Sequence, residues 1–413
     1  MKKRVILAVI AAYLLLFTPG GAGPNPRTLL AGSQGFSLIQ WEITAFPEKW
    51  LNYVKGFIGL GSDSATLEEV EEFFAIGQDL RRAEDNLERA VTLGEGDIED
   101  LHQALNAAEE EWARRRSPVE QTIEGLISSV VRDMRLTMKP LGIKELQFPP
   151  VDIRFGDSPR ILTLSPRDRI EKQYSYLLDT NISVLDIEEM EDSFFTGQGL
   201  SALVVPPGGL ATYPAVMSPF YSLEFTLRLA AHEWSHHYLT FYPLGRSYFG
   251  SDGRMITVNE TLADLMGKEV GREAYFRLTG ERLPDPPKND GSQPPAPPDD
   301  PDRFDFNTEM RETRLRVDNL LAEGKVEEAE TYMEERRQVF LDNGYLVRKL
   351  NQAYFAFYGS YATSAASSSP VGNELEDLRA RFDTLEEMVE AIRQVGSYES
   401  YSKVLEENGG SLP

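Results

Sequence analysis

The chain contains no cysteine among its 413 residues and only four histidines. The lack of cysteine excludes disulfides, thiolate nucleophiles and metal sites with sulfur ligands. Any metal site must therefore use histidine or carboxylate ligands. The length exceeds the usual size of one domain, so we expect two or three structural units.

Positive charge is also scarce. Lys and Arg amount to 42 residues against 66 Asp and Glu, which gives a formal net charge of −24. An acidic surface repels phosphate groups, so the composition argues against nucleic acid as a partner and favours solubility. The composition does not indicate an oligomeric state.

The hydrophobic run at the N-terminus is short. The basic residues 2–4 precede an apolar run from Val5 to Phe17, which is the layout of an export signal. This run is shorter than the about 20 residues of a membrane-spanning helix, although the uncharged stretch continues to Gly23. We predict that residues 1–23 are an uncleaved signal-anchor, with a cleaved signal peptide and secretion as the alternative. Basic residues stay on the cytoplasmic side, so the rest of the chain is expected outside the cytoplasm.

Composition and periodicity divide the remaining chain into five regions. Residues 24–62 are rich in aromatic residues, and residues 63–145 show the apolar spacing of a helical hairpin. Residues 146–282 contain short β-branched runs followed by two long helical patterns. Residues 283–303 form a proline-rich insertion, and residues 304–413 a C-terminal helical region. The predicted fold is mainly α with a small β layer, which is the α+β class.

Local signals predict individual elements within these regions. Strands are expected in VDIRF, RILTL and SALVVP, with a helical segment between the second and the third. A helix is expected to begin at Ser218 and Pro219 and to end near Pro243. A later helix is expected to end at Gly280, and an apolar helix is expected from Leu346 onward.

Three of the four histidines lie in AHEWSHHYL, from Ala231 to Leu239. His232 and His236 are four residues apart, so on a helix both imidazoles can reach one metal ion. Glu233 stands beside such an ion, where a carboxylate can accept a proton from water. This HExxH pattern predicts a catalytic zinc site. The alternative is a pair of satisfied polar residues in a helical core.

A catalytic zinc site needs a third protein ligand and keeps one position for water. Glu260, in VNETLADLMG of the next helical pattern, is the candidate ligand. Asp264 is one helical turn further on and is expected to accept the second ring N–H of a ligand histidine. His237 points away from His236 on a helix and is not expected to bind the metal. The acidic pair is also compatible with an ordinary solvated helix face.

HEWSH followed by NETLAD resembles the gluzincin zinc peptidases, the group that contains the thermolysin-like and aminopeptidase families. The resemblance implies that His232, His236 and Glu260 bind Zn²⁺. It also implies that Glu233 is the general base and that Asp264 supports a ligand. The glycine-spaced third histidine of the metzincin pattern is absent.

A second similarity, to a group of bacterial aminopeptidase-like proteins, rests on LNQAYFAFYGSY and covers roughly residues 206–361. It implies a zincin-like metallopeptidase core flanked by helical hairpins. Aminopeptidases of this type place a glycine-rich strand beside the substrate, and Gly208 and Gly209 in PPGGLATYP stand at a comparable distance. No acidic residue follows them to bind a free amine, so exopeptidase specificity stays open. The glycines are equally compatible with a plain loop.

A donor for a negatively charged reaction intermediate is harder to find in the sequence. No histidine lies downstream of His237, so a tyrosine has to serve. Tyr361 is the first candidate, with Tyr354 and Tyr358 as alternatives and core packing as the competing explanation for all three.

Two functions follow from these residues. The first is an extracytoplasmic zinc peptidase that hydrolyses a peptide or protein substrate with an activated water molecule and Glu233 as general base. The second is a membrane-tethered binding or scaffold protein whose metal site is structural or vestigial.

Overall fold

A computed structural model describes residues 64–93, 97–138, 148–180, 182–248, 250, 252–284 and 304–409. The predicted signal-anchor, the aromatic segment and nearly all of the proline-rich insertion lie outside these ranges. Within the described part, no helix combines the length and the apolar character needed to cross a membrane.

The predicted N-terminal hairpin consists of two long helices, α1 (Leu67–Leu93) and α2 (Ile98–Asp133). Thr66 caps α1, because its backbone N–H donates to the Glu69 carboxylate and its hydroxyl accepts from the Glu69 N–H. Asp97 caps α2 through the N–H groups of Glu99 and Asp100. The apolar sides of the helices meet in a core that also reaches the first strand.

Two three-stranded sheets follow the hairpin, with the strands β1 (Ile153–Phe155), β2 (Arg160–Pro166), β3 (Tyr174–Leu178), β4 (Leu200–Val205), β5 (Gly209–Leu210) and β6 (Ala215–Met217). One sheet has the antiparallel order β3-β2-β4, with Ile161 opposite Val205. The other has the order β1-β6-β5, in which β1 and β6 run parallel. The three predicted strands are therefore confirmed.

The helical segment predicted after RILTL is wrong, because residues 167–173 form no helix and Tyr174–Leu178 is a strand. It pairs along β2, from Arg160 opposite Leu178 to Leu164 opposite Tyr174. A partner strand supplies these backbone hydrogen bonds, and no local signal in the segment identifies that partner. The next helix, α3 (Val184–Gln198), packs its apolar side on this sheet.

The helices that carry the HExxH and NETLAD segments are α4 (Leu223–Leu239) and α6 (Gly253–Thr279), joined through the short α5 (Pro243–Ser247). Helix α4 begins later than predicted, because Ser222 rather than Ser218 accepts the Phe225 N–H. It also ends earlier, and Pro243 starts α5 instead of only stopping α4. The predicted end of α6 is confirmed, since Gly280 has the left-handed φ of 77° that terminates the helix.

The C-terminal region is helical, with α7 (Phe306–Ala322), α8 (Val326–Asp342), α9 (Gln352–Tyr358), α10 (Val371–Arg379), α11 (Leu385–Ile392) and α12 (Tyr398–Glu407). The apolar helix predicted from Leu346 is shorter than expected. Asn351 caps it by accepting the Tyr354 N–H, and its amide also donates to the Ala202 carbonyl of β4. The polar side chain thus ties α9 to the sheet edge.

The main core joins distant parts of the chain around α4 and α6. Apolar residues of both helices share one cluster with the α1–α2 hairpin on one side and with α10–α12 on the other. Smaller clusters lie under α3 and between α7, α8 and α9. The described chain is mostly helical with small sheets, which confirms the α+β class.

Candidate metal centre

Helices α4 and α6 lie against each other through two glycines of GKEVG. A Cβ atom at Gly267 would lie 2.8 Å from the Arg228 carbonyl oxygen and 3.0 Å from the Cβ of His232. A Cβ atom at Gly271 would lie 2.6 Å from the Arg228 Cα. No larger residue fits at either position without moving the helices apart, so the glycines permit the short distance on which the site depends.

Glu260 lies on the same face of α6 as these glycines, because residues seven and eleven positions apart share a helix face. The two helices run in opposite directions, and Glu260 therefore faces His232 and His236 on α4. Its Oε2 atom lies 3.5 Å from His232 Nε2 and 3.4 Å from His236 Nε2. The two Nε2 atoms are 3.1 Å apart.

These three distances agree with a shared metal ion. Four ligands placed tetrahedrally at about 2.0–2.1 Å from a metal lie about 3.4 Å from one another. His232 and Glu260 are buried, and His236 is partly exposed. The buried Glu260 Oε2 atom accepts no hydrogen bond from the residues that the structure covers, which is the state expected of an oxygen reserved for a cation. The three residues therefore form a group that can bind a metal ion.

Asn259 orients His236. Its Oδ1 atom lies 2.9 Å from His236 Nδ1, and its Nδ2 atom donates to the Leu244 carbonyl at 3.4 Å. The second bond leaves only Oδ1 to accept, so His236 Nδ1 carries the proton and Nε2 keeps its lone pair for a metal. The sequence contained a weak signal for this contact, since Asn259 directly precedes the candidate ligand.

The expectation for Asp264 needs correction. Its carboxylate binds Arg228, accepts from Thr363 Oγ1 at 3.0 Å and lies 2.8 Å from Lys268 Nζ. It thus serves as an ionic link between α4, α6 and the segment after α9, and Asn259 makes the predicted contact with a ligand histidine. Helical spacing placed Asp264 on the correct face, but only the packing determined which partner it reaches.

Glu233 lies next to the three ligand candidates and is 5% exposed. Burial raises its pKa above the usual 4.5, and the nearby His232 and His236 only partly offset that effect. A carboxylate with a raised pKa is better suited to accept and return a proton near neutrality. Burial alone would also raise the pKa of Glu260, but the two histidines outweigh it and hold that pKa well below 4.5. The raised pKa of Glu233 therefore suits a base, and the lowered pKa of Glu260 suits a metal ligand.

The two predicted glycines differ in their surroundings. A Cβ atom at Gly209 would collide with the Glu233 carboxylate, whereas one at Gly208 would make an ordinary 3.6 Å contact with the Tyr221 hydroxyl. The short strand β5 therefore passes directly over Glu233 only because residue 209 lacks a side chain. Gly208 has no such requirement.

Two tyrosines lie at the site. The Tyr361 ring is 6.0 Å from the His232 ring, and the charge of Glu260, followed by burial, holds its pKa well above 10. The Tyr248 hydroxyl, which the sequence analysis missed, donates to Glu260 Oε1 at 3.0 Å. Both hydroxyls thus keep their protons at neutral pH and can donate. Tyr248 lies in the link between α4 and α6, where no periodic pattern draws attention to it.

The alternative tyrosines lie elsewhere. The rings of Tyr354 and Tyr358 lie 4.6 Å apart at a tilt of 46°, in the wall of a cavity of about 1610 Å³. This cavity also borders Pro206, Ala362 and Thr363. It therefore reaches the residues on both sides of Tyr361 and the segment just before Gly208.

His237 has a structural position, in agreement with its exclusion as a ligand. Its Nε2 atom is 2.8 Å from the Thr212 carbonyl oxygen, and its ring meets Tyr213 edge-on. Burial lowers its pKa to about 4, so the ring is neutral and donates to that carbonyl. The contact holds the turn between β5 and β6 against α4.

The described residues thus include a buried group that can bind a metal ion, a neighbouring carboxylate and two hydroxyl donors. No protein-family model matches the chain, and comparisons with curated proteins and with solved structures found no significant match. The function has to follow from the geometry of the residues themselves.

Proposed function

We propose that this protein is a zinc-dependent peptidase of the gluzincin type with a zincin-like core. The observation that carries the proposal is the convergence of His232, His236 and Glu260 within 3.1–3.5 Å of one another, with Glu233 beside them. Two imidazoles and one carboxylate are the ligand set of many zinc hydrolases. The absence of cysteine and the buried, unbonded Glu260 oxygen both agree with this set.

In this proposal, His232, His236 and Glu260 hold Zn²⁺, and Asn259 keeps His236 in the correct tautomer. A zinc ion bound there would make a water molecule more acidic and polarise the carbonyl group of a peptide bond. Glu233 accepts the proton of the water molecule and delivers it to the leaving amine. Its raised pKa supports both transfers.

Tyr361 is the proposed donor to the oxyanion that forms during attack. Its hydroxyl makes no hydrogen bond with the residues that the structure describes, and it is protonated at neutral pH. Tyr248 is a weaker candidate because its hydroxyl already donates to Glu260. A preorganised donor in a buried site stabilises negative charge without reorganisation of solvent.

The substrate is proposed to be a peptide or protein segment. The cavity of about 1610 Å³ is larger than a typical pocket for a small molecule, which is about 300–1,000 Å³. Its lining includes Ala362 and Thr363, which bind Thr261 and Asp264 of α6. Gly208 and Gly209 follow the cavity residue Pro206 in the chain and are proposed to face the substrate backbone. We also propose that residues 1–23 direct the enzyme out of the cytoplasm, as an anchor or as a cleaved signal.

The first test is the substitution Glu233→Gln in the purified protein. We expect metal analysis to find one zinc per chain in both forms and peptide cleavage to fall by about 100-fold or more, the contribution typical of a general base. His232→Ala should lose the zinc itself. His102→Ala is the matched control, because His102 is exposed on α2 and should change neither readout. Unchanged cleavage by the Glu233→Gln form would reject the assignment.

A hydroxamate inhibitor separates this enzyme from a scaffold protein with a structural zinc site. A structural site is closed by four protein ligands, whereas a catalytic site keeps an exchangeable position. We expect stoichiometric, zinc-dependent binding of a peptide hydroxamate by calorimetry. A protein that holds one zinc but binds no hydroxamate would favour the scaffold function.

A further inference from the structure

Lys172 is a cation beside the candidate site that has no ion-pair partner among the described residues. It lies between β2 and β3, is partly buried, and places its Nζ atom 6.0 Å from the centre of the Tyr248 ring and 5.9 Å from that of Phe357. It forms no salt bridge with the described residues, whereas Arg169 and Glu171 on the same segment pair with each other. Burial lowers its pKa from 10.5, and the charge of Glu260 partly offsets the change.

The other cations near the site already have partners. Arg228 and Lys268 both bind Asp264. A partly buried ammonium group without a carboxylate is costly unless something pairs with it. The aromatic faces of Tyr248 and Phe357 attract the charge but do not neutralise it.

The charges at the candidate metal centre indicate that the missing partner of Lys172 is an anion. The two positive charges of a bound divalent ion would be matched by Glu260 and Glu233, so Lys172 would leave the site with one positive charge in excess. Tyr248 separates Lys172 from Glu260, since its hydroxyl binds Glu260 and its ring faces Nζ. An anionic group of a ligand that pairs with Lys172 would therefore be separated from Glu260 only by the side chain of Tyr248.

We propose that Lys172 binds a carboxylate of the substrate and so selects peptides with a negative charge close to the cleaved bond. The inference rests on the proposed peptidase function. The carboxylate can be the C-terminal group of a short peptide or an acidic side chain. Both present the same pair of oxygens to an ammonium group.

The test uses three probes of equal size. Each is a hydroxamate joined to a dipeptide: Leu–Gln with a C-terminal carboxamide, Leu–Gln with a free carboxylate, and Leu–Glu with a carboxamide. Dissociation constants are measured by calorimetry on the zinc-loaded wild type, on Lys172→Met and on Lys403→Met. Lys403 is an exposed lysine of α12 and serves as the charge control.

We expect the wild type and Lys403→Met to bind at least one carboxylate probe about tenfold tighter than the neutral probe, as one charge-assisted hydrogen bond provides. The preferred probe identifies the source of the carboxylate. Lys172→Met should lose the preference, keep one zinc per chain and bind the neutral probe as before. Lys172→Arg should retain a preference, which shows the effect in a variant that keeps the charge.

Three results would overturn the inference. Equal binding of all three probes by the wild type needs no variant and rejects a carboxylate site while leaving the peptidase function intact. Equal weakening of all probes in Lys172→Met would assign Lys172 to general support of the metal site. Failure of the zinc-loaded wild type to bind any hydroxamate would reject the peptidase function and this inference with it.

Discussion

The α1–α2 hairpin and the α4–α6 pair are both built from long antiparallel helices, but they bury different residues. The hairpin buries mainly apolar side chains, including Phe73 and Trp112, and leaves its outer faces polar. Its buried Glu120 accepts the Phe155 N–H. The α4–α6 pair is covered on most sides and buries a whole series of polar residues: His232, Glu233, Ser235, His237, Asn259, Glu260, Thr261 and Asp264. Burial of apolar surface stabilises the first pair. In the second pair, the burial of polar groups costs desolvation energy and provides groups that a ligand can contact.

The same difference holds for glycine. Gly125 is exposed on α2, and a Cβ atom there would meet nothing within 4 Å. Gly267 and Gly271 on α6 touch the backbone of α4. Glycine in a helix lowers stability in either place, but only in the second does it allow contact between helices.

The largest effect is expected from Phe73→Ala. Phe73 is fully buried, with its ring 5.5 Å from Trp112 and 5.1 Å from Phe155. Loss of such a ring costs about 3–5 kcal/mol, which urea unfolding would measure. The folded fraction should still bind zinc with unchanged affinity. A parallel loss of zinc affinity would break the distinction between a stabilising pair and a site-forming pair.

Gly267→Ala should affect both properties. The added methyl group meets the Arg228 carbonyl and His232, so overpacking should lower the free energy of unfolding by about 1–3 kcal/mol. Separation of α4 and α6 should also weaken zinc binding, because Glu260 moves away from the histidines. Stability and affinity that both match the wild type would show that the helices do not need this close approach.

Asn259→Ala should mainly affect the metal. Loss of a residue that orients a ligand histidine typically weakens metal binding about 10- to 100-fold. Competition with a zinc chelator would measure the change. Asn319→Ala on the exposed side of α7 is the matched control and should leave zinc affinity as it is. Equal affinities for the two variants would contradict the role of Asn259.

The smallest effect, of opposite sign, is expected from Gly125→Ala. The residue is exposed in the middle of α2 with free space around it, so alanine should raise the free energy of unfolding by about 0.5–1 kcal/mol. Thermal unfolding followed by circular dichroism would detect it. A destabilised variant would mean that α2 is less regular than described.

Local patterns predicted much of the helical architecture. Gly280 ends α6 where expected and adopts a left-handed φ value. The strand Tyr174–Leu178 was missed because its hydrogen bonds go to β2 rather than to its own neighbours. The helix expected from Leu346 is shorter because Asn351 forms its cap while binding the sheet. Distant partners thus account for these two errors, whereas the start of α4 was misplaced between two local cap candidates, Ser218 and Ser222.

The candidate site divides in the same way. Spacing on α4 was enough to select His232 and His236, because a helix repeats its faces regularly. Glu260 was a candidate because a catalytic zinc site needs a third ligand and because the gluzincin resemblance implies one there. The partners of Asp264, the contact of Asn259 with His236, and the positions of Tyr248 and Lys172 were not accessible from spacing. These positions depend on how the connecting segments and the sheet pack against the helices.

The sequence by itself determined the class of fold, the restriction to histidine and carboxylate ligands and the three residues that can share a metal ion. Only the tertiary structure decided that Glu260 lies within 3.5 Å of both histidines. It also decided that Gly209 passes over Glu233 and that Lys172 lies beside the site without an ion-pair partner in the part of the chain that the structure describes. The physical reason is range: helical periodicity is set by bonds between near neighbours, whereas distances between elements are set by the packing of side chains far apart in the chain.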